Sequence, residues 1–487
     1  MLAGIDVGST GLKVSLFLET GERLHYAYRE YSLEYQGEDQ VVIDPALWWD
    51  SLCSCIQELS ACCDLRQLRG LGISHANAMV LSDSEARPLF KAIMQLDKRG
   101  QSMTAVIADE FGNDDVFSIT GNNNAAGFVW GPTLKWLSIF EPEKYRQIRY
   151  LFNPSSYLVM RLSGIYCMDH TRAATTMLYD IHQGQWSSRL CQFFGLSEEC
   201  LPPLHRSSDV VGYTTGAGGL PSGIPVVAGA MDTMAAVVGL GSGQTENALI
   251  MGSVGRFVLA SSQLDRRFLN TVLPDRSSFI SMTPVNHGGI AVRWARNLLF
   301  SNRSPGESCY DRLDELAAAK APGAGGLMFF PYLTGASCPR WDNGIRGAYL
   351  NVKAFHDTGD FARATMEGVG YTLAEGLNIL QNEVGIRAGR IYCGGGGARS
   401  RVWTQILSDI FGVELIIPEY LETETIGCAI LAGIGAGILS PQDLISWNHA
   451  VRVVRPNQDN HQFYQSLLEK FTRSHQLLQE AQEIFSN

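Results

Sequence analysis

Apolar runs broken by glycine-rich turns pattern this chain from its first residues. Leu2 to Ile5 is apolar, Asp6 follows, Gly8-Ser9-Thr10-Gly11 interrupts, and Val14 to Phe17 resumes the run. That pattern predicts a β-hairpin carrying one acid near its tip. A third strand is predicted over 23–31, a helix over 45–63 and a strand over 68–74. Asp44 before Pro45 marks the helix entry, because Asp satisfies orphan backbone N–H groups and Pro tolerates the first helical position. Helices follow over 132–139 and 154–162, and a strand over 223–229 runs into a Gly-rich turn.

The opening pattern then returns. Residues 248–260 again place an apolar strand, a Gly252-Ser253-Val254-Gly255 turn and a second apolar strand in succession. Two copies of one hairpin, each early in its half of the chain, predict an internal duplication. Two unrelated hairpins are the alternative. Downstream, Met366, Val369, Leu373, Leu377 and Leu380 recur at helical spacing, so a helix over 360–380 presents them as core. A strand over 390–393 enters four consecutive glycines, Gly394 to Gly397, and a helix over 402–411 follows; the last forty or so residues predict an amphipathic helix after Pro456.

At 487 residues the chain exceeds what one core supports, which predicts two large domains. Its formal charge of −11, with no Lys/Arg run, excludes a nucleic-acid partner, whose phosphates require a basic surface. The N-terminus opens directly into a strand and no run of about eighteen apolar residues occurs, so a soluble cytoplasmic protein without a membrane partner is expected. Eleven scattered cysteines fit reduced thiols in that compartment, and the cluster Cys53, Cys55, Cys62 and Cys63 matches no common zinc spacing.

Three places carry candidate chemistry. In the first turn, glycines let backbone N–H groups converge on an anion, with Ser9 and Thr10 as further donors. Asp6 repels phosphate, so its expected work there is to hold Mg²⁺ through water beside a nucleotide; a plain hairpin accounts for the same residues equally well. Asp232 lies on a Gly/Ala-rich strand-to-helix turn and suits either a general base or a helix cap. The glycines at 394–397 leave room for a flat ring or a phosphate to approach the backbone.

With both hairpins, the glycine run and the segment from Pro225 to Gly239 together, the chain resembles the FGGY carbohydrate kinases, and within them the xylulose kinase-like branch. Thr120-Gly121-Asn122, Pro132 to Leu137, Pro331 to Gly335, Arg346-Gly347-Ala348, Glu367-Gly368-Val369 and Gly395 to Ser400 extend the likeness in family order. The resemblance implies an α/β fold of two actin/Hsp70-like (ribonuclease H-like) domains with a catalytic cleft between them. Residues 1–242 would hold sugar and the base, and 243–487 would hold ATP.

On the same grounds Asp232 is expected to take the proton of the acceptor hydroxyl and Asp6 to position Mg²⁺. Gly8, Ser9, Thr10 and Lys13, with Gly252 and Ser253, would approach phosphate. Gly395, Gly396, Gly397, Ala398 and Arg399 would meet adenine, with Gln405 and Asp409 nearby. The sugar side is expected at His75, Asn77, Gln95, Asp97, Arg99 and Asp232. There the chain departs from its relatives. Their Gln-Met-His-Gly is His75-Ala76-Asn77-Ala78, and their Trp-Asn-Asp-Gly-Arg is Gln95-Leu96-Asp97-Lys98-Arg99. Two milder departures are Gly335-Ala336-Ser337-Cys338-Pro339 for Gly-Glu-Arg-Thr-Pro, and the second hairpin turn for Gly-Thr-Ser-Gly. The expected activity is ATP-dependent phosphorylation of a ketopentose or a related ketose or polyol. A catalytically inactive nucleotide- and sugar-binding regulator is the alternative, and a homodimer is left open.

Overall fold

The computed structural model describes residues 1–241, 247–301, 309–342, 344–386 and 388–484. In chain order the elements that frame the chemistry are β1 (Leu2–Val7), β2 (Gly11–Phe17), β3 (Arg23–Glu30), α1 (Pro45–Ser60), β4 (Leu71–His75), α2 (His170–Ala173), β5 (Val210–Tyr213), β6 (Pro225–Val227), β7 (Ala230–Met231) and α3 (Asp232–Gly239). They continue with β8 (Asn247–Met251), β9 (Gly255–Ser261), α4 (Gly289–Leu299), α5 (Thr358–Asn382), β10 (Arg390–Gly394), α6 (Arg401–Phe411), β11 (Glu414–Pro418), α7 (Thr423–Gly435), β12 (Ala450–Val454) and α8 (Gln458–Glu483). Asp44 caps α1 as expected, its carboxylate accepting from Ala46 N.

The chain divides into two compact units. The first comprises Met1–Gly243, Asn270–Ile280 and Thr423–Asn448; the second comprises Gln244–Leu269, Ser281–Glu422 and His449–Asn487. The division expected near residue 242 lies outside the described residues, and a single cut there omits two later segments that belong to the first unit. Asn122 fastens one of them, its amide donating to Asn270 O at 2.8 Å and its Oδ1 accepting from Asn270 N at 2.7 Å. The other brings α7 back against the first sheet.

In the first unit the strands run in the order β5-β6-β4-β1-β2-β3, with β7 also on β4. β1 is antiparallel to β2 and parallel to β4, and every residue of β1 is buried. In the second unit β9, β8, β10, β11 and β12 lie side by side. There β8 is antiparallel to β9 and parallel to β10, β11 is parallel to β10, and β12 is antiparallel to β11. The order and directions repeat those of β2-β1-β4-β6-β5. The duplicated hairpin is therefore part of a duplicated sheet, with Asp6 in the first copy and Ile250 one residue before the strand end in the second.

Each unit has its own core. Ile5, Val14, Leu52, Ile73 and Val226 belong to the first, and Leu249, Phe257, Leu373, Ile391 and Leu407 to the second. The α5 stripe from Met366 to Leu380 is core as its spacing predicts. Beside it, Glu367 is buried but satisfied, accepting from Arg363 Nε at 2.7 Å, Tyr464 Oη at 2.7 Å and Gly323 N at 2.9 Å.

Candidate active site

Strand register assembles the first unit's chemistry. Asp6 on β1 pairs with Lys13 on β2 and Ser74 on β4, while Met231 on β7 pairs with His75 on β4. One strand end thus gathers Asp6, Ser74, His75 and the start of α3. α7 joins them because glycines permit unusually close approach: a Cβ on Gly4 would overlap the Thr425 carbonyl, and one on Gly427 the Ala235 carbonyl.

Asp6 is 3% exposed, accepts from Ser74 Oγ at 2.8 Å and lies 3.4 Å from Lys13 Nζ. Burial holds its carboxyl above the usual range, with Lys13 and Ser74 opposing. Glu424, in the first turn of α7, is pushed the same way by desolvation and by the Asp6 charge. The turn between β1 and β2 is closed by Gly8 N donating to Gly11 O at 3.0 Å, and Tyr31 Oη donates to Gly8 O at 2.6 Å. Thr10 at its tip is exposed.

Asp232 opens α3. The cap position is Met231, which makes no side-chain cap bond. Its Oδ1 accepts from Thr233 N at 2.6 Å and Thr233 Oγ1 at 3.0 Å, which fixes the carboxylate. Its Oδ2 accepts no hydrogen bond among the described residues, and the residue is half-buried. A fixed, partly accessible carboxylate with one unused oxygen can take a proton from a bound hydroxyl.

Behind it lies a buried network. Asp169 Oδ2 accepts from Thr171 N at 2.8 Å and from the Thr171 hydroxyl, and Met231 N donates to Thr171 Oγ1 at 3.0 Å. Arg172 Nε donates to His75 Nε2 at 3.2 Å, and Arg172 Nη1 donates to Thr175 Oγ1 at 2.8 Å. His75 is fully buried and its pKa is held well below the ordinary value, so the ring is neutral and accepts at Nε2. Nδ1 then carries the proton, buried and without a partner among the described residues. Burial pushes Asp169 up to about 6 and Arg172 down to about 10.

The other sugar-side expectations begin just beyond His75, where Gln95 N donates to Asn77 O at 3.0 Å. Asn77 donates to Gly127 O and Phe128 O, both at 3.2 Å, and accepts from Trp130 Nε1 at 3.1 Å. Asp97 accepts Arg99 Nε and Nη2 at 2.8 Å each, Arg99 N at 3.1 Å and Val41 N at 2.8 Å. Both residues thus have protein partners for their polar atoms. Gln95 is exposed.

In the second unit, Gly252 O accepts from Gly289 N at 2.9 Å and Ser253 O from Ile290 N at 3.2 Å, so the hairpin turn lies against the start of α4. The glycine run has its own packing reasons. Gly395 has φ +84°, and a Cβ there would stand 2.7 Å from Met251 O; one on Gly397 would stand 2.8 Å from the Trp403 ring. Gly396 faces open space. Ala398 O accepts from Arg452 Nη2 at 2.8 Å, and Arg399 is exposed. Asp409 is buried and accepts from Gln405, Asn457 N and Asn460. It fastens α8 to α6.

Residues 1–239 match the N-terminal domain of the FGGY family of carbohydrate kinases, and residues 255–436 match its C-terminal domain. The chain belongs to that family. It is accordingly a carbohydrate kinase of mixed α/β, two-domain fold. The chain is 28% identical over 481 residues to the xylulose kinase of Staphylococcus epidermidis, covering 96% of this chain and 94% of the relative. It is 26% identical over 501 residues to the gluconokinase of Bacillus subtilis, covering 98% and 96%. The ligand-bound xylulose kinase of Lactobacillus acidophilus shares the fold, with a TM-score of 0.92 at 23% identity over 99% of each chain.

Sequence reasoning missed Ser74, Arg172 and Glu424 in this kinase. Ser74 pairs with Asp6 across neighbouring strands, while Arg172 and Glu424 act on Asp232 and Asp6 through charge from segments distant in sequence. Glu424 alone had a local signal, an acid opening a Gly/Ala-rich helix as Asp232 does. No helix among the described residues is long and apolar enough to cross a membrane. All eleven cysteines are free.

Proposed function

We propose that this kinase transfers the γ-phosphoryl group of ATP to a hydroxyl of a small sugar or sugar derivative, with Asp232 as the base. Xylulose-type ketopentoses, other ketoses and polyols are acceptors in keeping with the xylulose kinase relatives; the gluconokinase relative adds sugar acids. The unused Oδ2 of Asp232, beside an Oδ1 held by Thr233, carries the reading. As the new P–O bond forms, Asp232 accepts the hydroxyl proton.

Mg²⁺ fits Asp6 as a nucleotide-borne ion. The carboxylate is buried and oriented by Ser74, and no group of three metal-ligating side chains occurs among the described residues. One carboxylate plus phosphate oxygens is an ordinary Mg²⁺ environment. When bound, the ion would neutralise charge on the phosphates. Gly8, Ser9, Thr10 and Lys13 are assigned to phosphate in the first unit, and Gly252 and Ser253 in the second. Gly395 to Arg399 are assigned to adenine, with Gly396 as the position open to a ring. Asn77, Asp97 and Arg99 hold the sugar-side loops, and Gln95 is available to a hydroxyl. Sugar-stimulated ADP release from ATP and Mg²⁺ tests the reading, and its absence with every acceptor class refutes it.

A further inference from the structure

Glycine-rich backbone has many conformations open to it, so a turn that meets its ligand in one shape needs ties from outside itself. The run from Gly395 to Arg399 has such ties at both ends. At its start, Gly395 N donates to Leu421 O at 2.9 Å. At its end, Arg452 on β12 donates from Nη2 to Ala398 O at 2.8 Å and from Nη1 to Thr404 Oγ1 at 3.0 Å. The Thr404 hydroxyl in turn donates to Ser400 O at 2.7 Å. One guanidinium thus holds the carbonyls on either side of Arg399, the first directly and the second through α6. Gly396, between the two ties, is the position facing open space.

The chain path supplies both ties. Leu421 comes just before Thr423–Asn448, the segment that belongs to the first unit, and Arg452 comes just after it. Glu419 N donates to His449 O at 3.1 Å, so the outgoing and returning legs are joined beside the run. Arg452 is half-buried, and burial, then the Arg401 charge, lowers its pKa. Its hydrogen bonds offset that cost, and a charged donor makes the bond to Ala398 O a strong one. A lysine could not copy it, because only a planar fork reaches two acceptors on two elements in fixed directions.

We propose that Arg452 is a positioning residue for the nucleotide: by fixing the carbonyls of Ala398 and Ser400 it holds the backbone at Gly396 and Gly397 in the shape that receives the base of ATP. This rests on the assignment of Gly395 to Arg399 to adenine in the kinase reading above, and adds the side chain that shapes them beforehand. Arg452 acts through the turn, so its loss weakens nucleotide binding and spares the acceptor and the chemical step.

The test uses the full-length protein with Mg²⁺ and a productive acceptor, comparing the parent with Arg452→Gln and Arg452→Lys. Calorimetric titration with ADP and steady-state ADP release are measured on each. Arg452→Gln should raise the Kd for ADP and the KM for ATP roughly tenfold, as the turn loses its prepared shape. The acceptor KM should stay unchanged and kcat within about twofold. Arg452→Lys should recover part of the affinity through a single bond. If Arg452→Gln fails to fold, Arg452→Lys and Thr404→Val, each cutting one arm of the tie, should show smaller rises confined to the nucleotide. An unchanged KM for ATP, or an acceptor KM and kcat that worsen in step with it, overturns the positioning role and leaves the kinase reading standing. A parent that neither binds ADP nor releases it with any acceptor overturns both.

Discussion

The carbonyl oxygen of Ala235 stands where a side chain on Gly427 would have to be. α3 and α7 therefore meet backbone to backbone, which seats Glu424 and Asp232 at the starts of two helices in direct contact. Gly427→Ala forces α7 off α3. The expected cost is about 3 kcal/mol or more, at the upper end of overpacking effects, because the obstacle is backbone and cannot rotate away. Thermal unfolding checks it, and a variant melting within about a degree of the parent contradicts the packing described.

Asp232→Asn removes the proton acceptor and keeps the shape. Turnover with a productive acceptor should fall roughly 10²- to 10⁴-fold while ATP affinity stays nearly unchanged. Steady-state kinetics with parallel nucleotide titration separates these effects. Retained turnover would transfer the base role elsewhere.

The hairpins and the core stripe of α5 were legible because they are written in local pattern. Alternation, turn glycines and helical spacing act over a few residues. The return of Thr423–Asn448 to the first unit was not legible: Ser15 Oγ donates to Thr425 Oγ1 at 3.0 Å across 410 residues, a pairing that leaves no local trace. The sugar side was legible as a departure only. Asp97 and Arg99 were readable as an acid and a base two residues apart, yet their bidentate pairing and the bond from Val41 N depend on the folded loop. The glycine run was readable as close approach, and at Gly395 and Gly397 the approaching groups include Met251 and Trp403 of the protein itself.

Asp6→Asn keeps an acceptor for Ser74 and removes the charge proposed to position Mg²⁺. The Mg²⁺ concentration giving half-maximal activity should rise about tenfold or more, as for other residues that support a metal through its surroundings. An unchanged Mg²⁺ requirement removes Asp6 from that role.

Asp169 links pH to stability. Burial raises its pKa from 3.8 to about 6 in the folded chain. Between those values the unfolded chain releases this proton and the folded chain keeps it. The folded state then binds more protons, so this contribution lowers stability as pH rises and levels off above about 6. Asp169→Asn cannot ionise. Its melting temperature relative to the parent should climb from about pH 4 to about pH 6 and then hold steady; a difference that ignores pH contradicts the assignment.

Everything proposed for the site turns on transfer of the γ-phosphoryl group of ATP to a hydroxyl deprotonated by Asp232. The most direct measurement follows ADP release over ketoses, aldoses, polyols and sugar acids for the parent and Asp232→Asn. One acceptor class is expected to raise release well above the acceptor-free rate in the parent, and Asp232→Asn is expected to lose the increase. No stimulation by any acceptor, or equal stimulation in the variant, would contradict it.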